Sequence, residues 1–364
     1  MQEHKLRIGL VGASPRKSWA SLSHIPAIKL LPAFELTAVA TSSEASAQEA
    51  AKAFQVAEAF SSAIQLARSP NVDLVSVCVK VPYHQEIVTA ALAAGKHVLC
   101  EWPLAVSVEE ADAMRRQSEA AGVHTAVGLQ ARMNPSVRRA HDLIAGGLIG
   151  QPLTANVLST TEGHGAALPS AYAYMCDPAN GATMSTILTG HTLDLAIYLL
   201  GGIESLQAMT TIKFPQVRLT DVGGHVSRLT ADSLSIQARF LNGCLLTAEI
   251  DGGRPAGTPF FFQVFGTKGS LALRGGHPYG FQAGDLLLEA SIPFQAPDLL
   301  SAPEFKGPLT NVGELYARLA LDLLRQEHIV PDFAHAVQLH QLIRSVDVAA
   351  ETGVRQTAGQ WPIH

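Results

Sequence analysis

The most constraining stretch of this chain is Gly95-Lys96-His97-Val98-Leu99-Cys100-Glu101-Trp102-Pro103-Leu104. The alanine-rich residues 90–94 before it read as the end of a helix, and Gly95 can take the left-handed conformation that closes such an end. His97-Val98-Leu99-Cys100 is then a short apolar run of the kind buried on both faces in a parallel sheet. Glu101, Trp102 and Pro103 fall where that strand stops. Open α/β sheets bind ligands beyond the carboxyl ends of their strands. An acid, a large aromatic and an imino acid at that place read either as a lip over a ligand or as a buried turn with Trp102 in the core.

A chain of 364 residues is too long for one ordinary core and suits two domains. With 47% apolar and 16% charged residues it is expected to be globular rather than disordered. A net charge of −5 without a basic run argues against nucleic acid as a partner. No apolar stretch approaches the roughly 18 residues of a membrane span. Residues 6–11 are too short an apolar run for a signal peptide. The four cysteines, Cys78, Cys100, Cys176 and Cys244, form no Cys-x-x-Cys pair. A reduced cytoplasm and no metal site are therefore expected.

Residues 5–11 predict a first strand, and Gly12 follows at once, with Ala13-Ser14-Pro15-Arg16-Lys17-Ser18-Trp19. A dinucleotide fingerprint reads Gly-x-Gly-x-x-Gly at such a turn. Here only Gly12 is present; Ser14 and Lys17 occupy the other two glycine places. Residues 34–41 predict a second strand that ends in Thr41-Ser42-Ser43. A carboxylate there would hold ribose hydroxyls and repel a 2′-phosphate. Short hydroxyls admit the phosphate, and Arg16 or Lys17 can reach it, unless both are ordinary solvated loop charges. NADP is preferred over NAD on this ground. Further strands are expected over 56–60, 72–81 and 125–129. Helices are expected over 45–53 and over 107–121, the latter opened by a capping box of Ser107 and Glu110.

From residue 132 the pattern changes. A helix over 135–145 precedes strand-like segments over 153–160, 206–214, 233–241, 245–251, 260–265 and 270–273. Asn242-Gly243 and Gly266-Thr267-Lys268-Gly269 read as tight turns. Helices are expected over 312–326 and 334–351. His191 and Asp194 lie one helical turn apart and share a face.

The Gly95-to-Leu104 stretch resembles the Gly-Lys-His-Val-x-x-Glu-Lys-Pro-Leu signature of the Gfo/Idh/MocA family of nicotinamide-dependent oxidoreductases. Trp19-Ala20 with His24-Ile25-Pro26-Ala27-Ile28, and the stretch from Gly181 to Asp194, resemble the same family. Glu-Trp-Pro in place of Glu-Lys-Pro looks like the branch of the fungal galactose-pathway repressor. The resemblance implies an N-terminal Rossmann domain, 1–131, binding NAD(P), and a C-terminal α+β domain, 132–364, with an open, mainly antiparallel sheet. The latter would bind substrate and form a homodimer or homotetramer through that sheet.

The resemblance also implies site residues. Gly12, Ala13, Ser14, Arg16, Lys17, Trp19, Ser42, Ser43, Val79, Pro82, His84, Glu101, Trp102 and Gln130 would hold the nucleotide. The Trp102–Pro103 bond would be cis. His191, Lys80, Trp102 and Asp194 would stand at the reacting carbon, and Tyr174, Asp177, Asn180 and Arg132 around a sugar or polyol. The family's catalytic lysine is replaced by Trp102 and its first aspartate by Ile187. Indole offers one donor and no useful base. His191 can serve as acid or base near neutral pH, or it is a helix histidine that only hydrogen-bonds. Two functions follow: an oxidoreductase of a sugar or polyol, or a nucleotide-binding regulator without turnover.

Overall fold

The computed structural model describes residues 5–16, 18–255, 260–301 and 305–357. Lys17, expected at the nucleotide loop, lies outside the described residues. By compactness the chain divides into Met1–Gln130 with Leu299–Val337, and Ala131–Asp298 with Gln338–His364. The linear reading of 1–131 and 132–364 is corrected by residues 299–337, which return to the first unit. The reason is the helix Pro308–Arg325, which packs Leu315, Tyr316 and Leu319 inward against the segment Ala20–His24 and the helix Ile25–Leu30.

The first unit is built on strands β1 (Leu6–Val11), β2 (Phe34–Ala40), β3 (Glu58–Phe60), β4 (Leu74–Val77), β5 (His97–Cys100) and β6 (Thr125–Val127). All are parallel, in the order β3-β2-β1-β4-β5-β6. The strand order reverses between β1 and β4, and such a switch point is where a doubly wound sheet binds its ligand. β4 and β5 read as apolar runs because helices cover both faces of the sheet. The expected strand over 72–81 stops at Val77; Pro82 then sits in a tight turn, Val81–Tyr83, and cannot continue a ladder. Gly95 has φ +69°, as a helix end there requires. Ser107 caps the helix Val108–Ala121, accepting from Glu110 N–H at 3.2 Å. The Glu110 carboxylate reaches Val106 N–H rather than that of Ser107 itself.

The second unit carries a larger sheet. Its strands are β7 (Pro152–Thr160), β8 (Ala167–Leu168), β9 (Ile203–Thr211), β10 (Gln216–Leu219), β11 (His225–Ser227), β12 (Ser233–Phe240), β13 (Leu245–Asp251), β14 (Phe260–Gly266), β15 (Ser270–Gly275), β16 (Leu286–Ala290) and β17 (Gln356–Thr357). Eight of them form a sheet in the order β16-β15-β14-β7-β13-β12-β9-β17. It is antiparallel except for the β13–β7 pair. Both hairpins expected from glycine turns are present, β12–β13 across Asn242-Gly243 and β14–β15 across residues 266–269. One face is covered by the helices Pro135–Ala145 and Leu188–Leu200. β12 and β13 alternate buried and exposed residues, so the other face is open. β11, β10 and β8 form a separate small sheet around Leu168, Cys176 and Val217. These strands are too short and polar to show a period in the sequence.

No helix among the described residues is long and apolar enough to cross a membrane.

Candidate functional site

The switch point of the first unit is lined by the ends of β1, β4 and β5. Gly12 leaves β1 with φ +93°, and a Cβ there would lie 2.2 Å from the Cys78 carbonyl oxygen. Only glycine lets the two backbones approach so closely. Ala13 is buried, Ser14 N–H donates back to Gly12 O at 2.9 Å, and Arg16 is exposed. The loop then enters a π-helical turn, Ala20–His24, before the helix Ile25–Leu30. A regular helix N-terminus does not follow directly. Two buried polar atoms nearby lack a hydrogen-bond partner among the described residues, Trp19 Nε1 and Gln130 Oε1. Buried polar atoms in a native fold are normally satisfied. An open glycine turn, an orphaned donor and an orphaned acceptor fit a dinucleotide.

At the end of β2, Ser42 is exposed, but the Ser43 hydroxyl is engaged. It caps the helix Glu44–Phe54 through Ser46 N–H and lies 2.8 Å from Ser46 Oγ. Val79 and Pro82 follow β4, and Lys80 is exposed at the head of the turn Val81–Tyr83. His84 faces inward: its ring nitrogens lie 3.2 Å from Leu104 O and 3.1 Å from Val79 O. Burial keeps its pKa below the ordinary value, and a neutral ring donates to only one of these carbonyls. It ties the strand ends together. The Trp102–Pro103 bond is cis as expected, and Trp102 is buried. Glu101 is half-buried, with Oε1 3.1 Å from Nε2 of the buried His24.

In the second unit, His191 and Asp194 lie on the helix Leu188–Leu200 and both are buried. Asp194 closes a two-pronged ion pair with Arg132, whose Nε lies 3.0 Å from Oδ2, while the second prong joins NH2 to Oδ1. The guanidinium also stands over the Tyr198 ring at 5.0 Å. The structure therefore brings together Arg132 and Asp194, which the sequence analysis had assigned to different tasks. Thr192 anchors the helix to β7 through Ser159 Oγ at 2.9 Å. Thr189 Oγ1, two residues before His191, is buried without a hydrogen-bond partner among the described residues.

The loop expected around the substrate folds into short helical turns, Ser170–Cys176 and Pro178–Asn180. Asp177 Oδ1 accepts from Ala179 N–H at 2.9 Å, and Asn180 Nδ2 donates to Tyr174 O at 2.9 Å. Both shape the loop locally. Tyr174 is half-buried, and burial raises its pKa.

Sequence reasoning missed His24, Ser76 and Tyr316 as a connected set. His24 stood in a recognised motif, but Tyr316 lies 292 residues away in a helix that carries no local sign of its partner.

Comparison with known proteins completes the description. Residues 6–129 match the oxidoreductase family with an NAD-binding Rossmann fold, and residues 135–275 match the C-terminal domain of Gal80p. The dehydrogenase aclE of Aspergillus oryzae is 32% identical over 283 residues, covering 74% of this chain and 77% of that protein. The galactose/lactose metabolism regulatory protein GAL80 of Saccharomyces cerevisiae is 29% identical over 296 residues, 74% of this chain and 67% of that protein. A crystal structure of a super-repressor mutant of yeast Gal80p superposes with a TM-score of 0.86 at 26% identity, covering 97% of this chain and 98% of that one. Levoglucosan dehydrogenase in complex with NADH shares the fold, with a TM-score of 0.82 at 21% identity over 98% of this chain and 100% of that one. A two-unit chain with a parallel 3-2-1-4-5-6 sheet, an open mainly antiparallel sheet and these matches belongs to the Gfo/Idh/MocA oxidoreductase family, with a Gal80-like C-terminal domain, a family that holds both dehydrogenases and galactose regulators.

Proposed function

We propose that the protein is an NAD(P)-dependent oxidoreductase of a sugar or polyol. The observation that carries this reading is His191, which with Asp194 matches the last two polar positions of the family's pattern, buried on one helix and followed one turn later by Asp194 in its ion pair. A nicotinamide supplies hydride acceptance or donation when bound. The protein's residues must then bind it, orient the alcohol and move the hydroxyl proton. The backbone of Gly12, Ala13 and Ser14 suits the pyrophosphate, with Trp19 Nε1 as a further donor. Arg16, Ser42, Ser43, Val79, Pro82, Glu101, Trp102 and Gln130 complete the nucleotide set. His191 is the proton carrier, Lys80 the cation that stands in for the missing lysine, and Tyr174 a ring for a sugar face to stack on. Arg132 and Asp194 hold the helix that bears His191.

NADPH is the preferred form, because β2 ends in hydroxyl side chains with no acid to repel a 2′-phosphate. The first unit, residues 299–337 included, takes the nucleotide, and the second carries substrate binding and self-association. The open sheet face, where Met209 and Leu245 are exposed and a shallow hollow of about 240 Å³ runs over Gln207, Gln237 and Arg239, suits a second copy of the chain. A reduced compartment such as the cytoplasm suits four free cysteines.

A second reading has its own observation. Trp102, buried on its cis bond, replaces the lysine of the signature, and Ile187 replaces an aspartate. A regulator that binds nucleotide without turnover accounts for both losses. A turnover screen of sugars and polyols with NAD and NADP separates the two. Hydride transfer supports the enzyme. A silent parent that gains activity as the Trp102→Lys, Ile187→Asp double variant supports the regulator.

A further inference from the structure

A buried polar chain crosses the strand ends of the first unit. His24 is 1% exposed, and its Nδ1 lies 3.0 Å from the Tyr316 hydroxyl. That hydroxyl lies 2.8 Å from Ser76 Oγ on β4. On the other side of the ring, Nε2 lies 3.1 Å from Glu101 Oε1, within ion-pair range but off the line of a hydrogen bond. Trp19 and Tyr316 hold the ring edge-on, with centroids 6.4 Å and 5.6 Å away. Gly128 leaves the carboxylate its place, since a Cβ there would lie 2.5 Å from Oε1.

A buried imidazole ordinarily sheds its proton. Burial does press the His24 pKa down, but Cys78, Tyr316 and Glu101 outweigh it, and the net effect raises it well above 6.5. Of the other titratable groups near Glu101, His84 is pressed down and Cys100 pushed up, each chiefly by burial. Burial also raises the Tyr316 phenol.

We propose that His24 is a positioning residue for the nucleotide site. Held from behind by Tyr316 and Ser76, it orients the Glu101 carboxylate and balances its charge at the carboxyl end of β5, where the carboxylate would accept from a ribose hydroxyl. This rests on the nucleotide-binding reading above. A dinucleotide brings two negative charges on its pyrophosphate. An imidazolium beside Glu101 lowers the repulsion between its carboxylate and those phosphates, so the carboxylate accepts from a sugar hydroxyl at less electrostatic cost. Because the folded pKa of His24 is raised, that support is present at neutral pH and is lost as pH rises through the folded value.

The test is fluorescence titration of NADH and NADPH from pH 6 to 9.5, on the parent, His24→Gln and Tyr316→Phe. Parent affinity is expected to be level on the acid side and to weaken about tenfold as pH rises through the His24 titration. His24→Gln should bind weakly with no such step. Tyr316→Phe keeps the ring that fills the core and removes only the Nδ1 partner, so its step should move to lower pH. A purely structural His24 would alter affinity in the variants without moving that step. A parent profile without a step, or a His24→Gln profile like the parent's, overturns the inference while leaving nucleotide binding intact. Failure of the parent to bind either nucleotide at any pH overturns the nucleotide reading and this inference with it.

Discussion

The strand ends of the first unit and the Arg132–Asp194 pair of the second treat buried polarity in opposite ways. At the strand ends, Trp19 Nε1 and Gln130 Oε1 are buried with no hydrogen-bond partner among the described residues, and Gly12 holds its turn bare of side chain. On the helix, Asp194 is closed by both prongs of Arg132, and Arg132 is covered by Tyr198, itself stacked on His141 with ring centres 4.5 Å apart. Polar groups kept for a ligand stay unsatisfied until it arrives, whereas polar groups kept for the fold satisfy one another. The same helix also keeps an open polar group, Thr189 Oγ1, two residues before His191.

The largest expected effect tests the closed half of this contrast. Asp194→Ala leaves the Arg132 guanidinium buried without its partner and should lose about 3–5 kcal/mol in urea unfolding. Trp19→Phe removes an orphaned donor and should change stability by less than about 1 kcal/mol. Equal losses in the two variants would erase the distinction.

Next comes the residue that joins chemistry to the closed half. If the parent turns over, His191→Ala should lower the rate by about a hundredfold or more, with nucleotide affinity within about twofold. Robust activity in that variant would move the proton carrier elsewhere.

Gly12→Ala probes the open half. With φ at +93° and the Cys78 carbonyl in the way, it should cost about 1–3 kcal/mol of stability. NADH affinity should drop with it; calorimetry showing unchanged affinity would separate this turn from nucleotide binding. The smallest effect is one of specificity. NADPH should bind at least as tightly as NADH, and Ser42→Asp should shift the ratio roughly tenfold towards NADH by charge repulsion. A clear preference of the parent for NADH would refute the reading of the β2 end.

Much of the first unit was legible because its signals are local. Alternating helix and apolar strand, a glycine where a helix must end, and Ser107 with Glu110 at a helix start are read within a few residues of themselves. The hairpin at Asn242-Gly243 was legible for the same reason, since two residues determine the turn. The strand over 72–81 was overextended because Val79 and Val81 are as β-prone as the real strand, and only the turn containing Pro82 tells them apart. The site residues divided along the same line. His191 and Asp194 were placed on one helix face by spacing alone, but the role of Arg132 was not visible, because its partner lies 62 residues away. Asp177 and Asn180 read as substrate groups from composition and fold into local caps.

What the amino-acid order determined by itself was the parallel sheet, the turn at Gly12, the family signature with its tryptophan, and the hairpins of the second sheet. Each is signalled by residues that are neighbours in the chain, although the sheet itself pairs strands as far apart as β1 and β4. Tertiary structure alone decided that residues 299–337 belong with the first unit, that the small sheet of β8, β10 and β11 exists, and that Tyr316 stands behind His24. Those contacts pair segments that are remote in sequence. Their stabilisation comes from burial and complementary polar atoms that no local pattern records, and they form only when the chain has closed on itself.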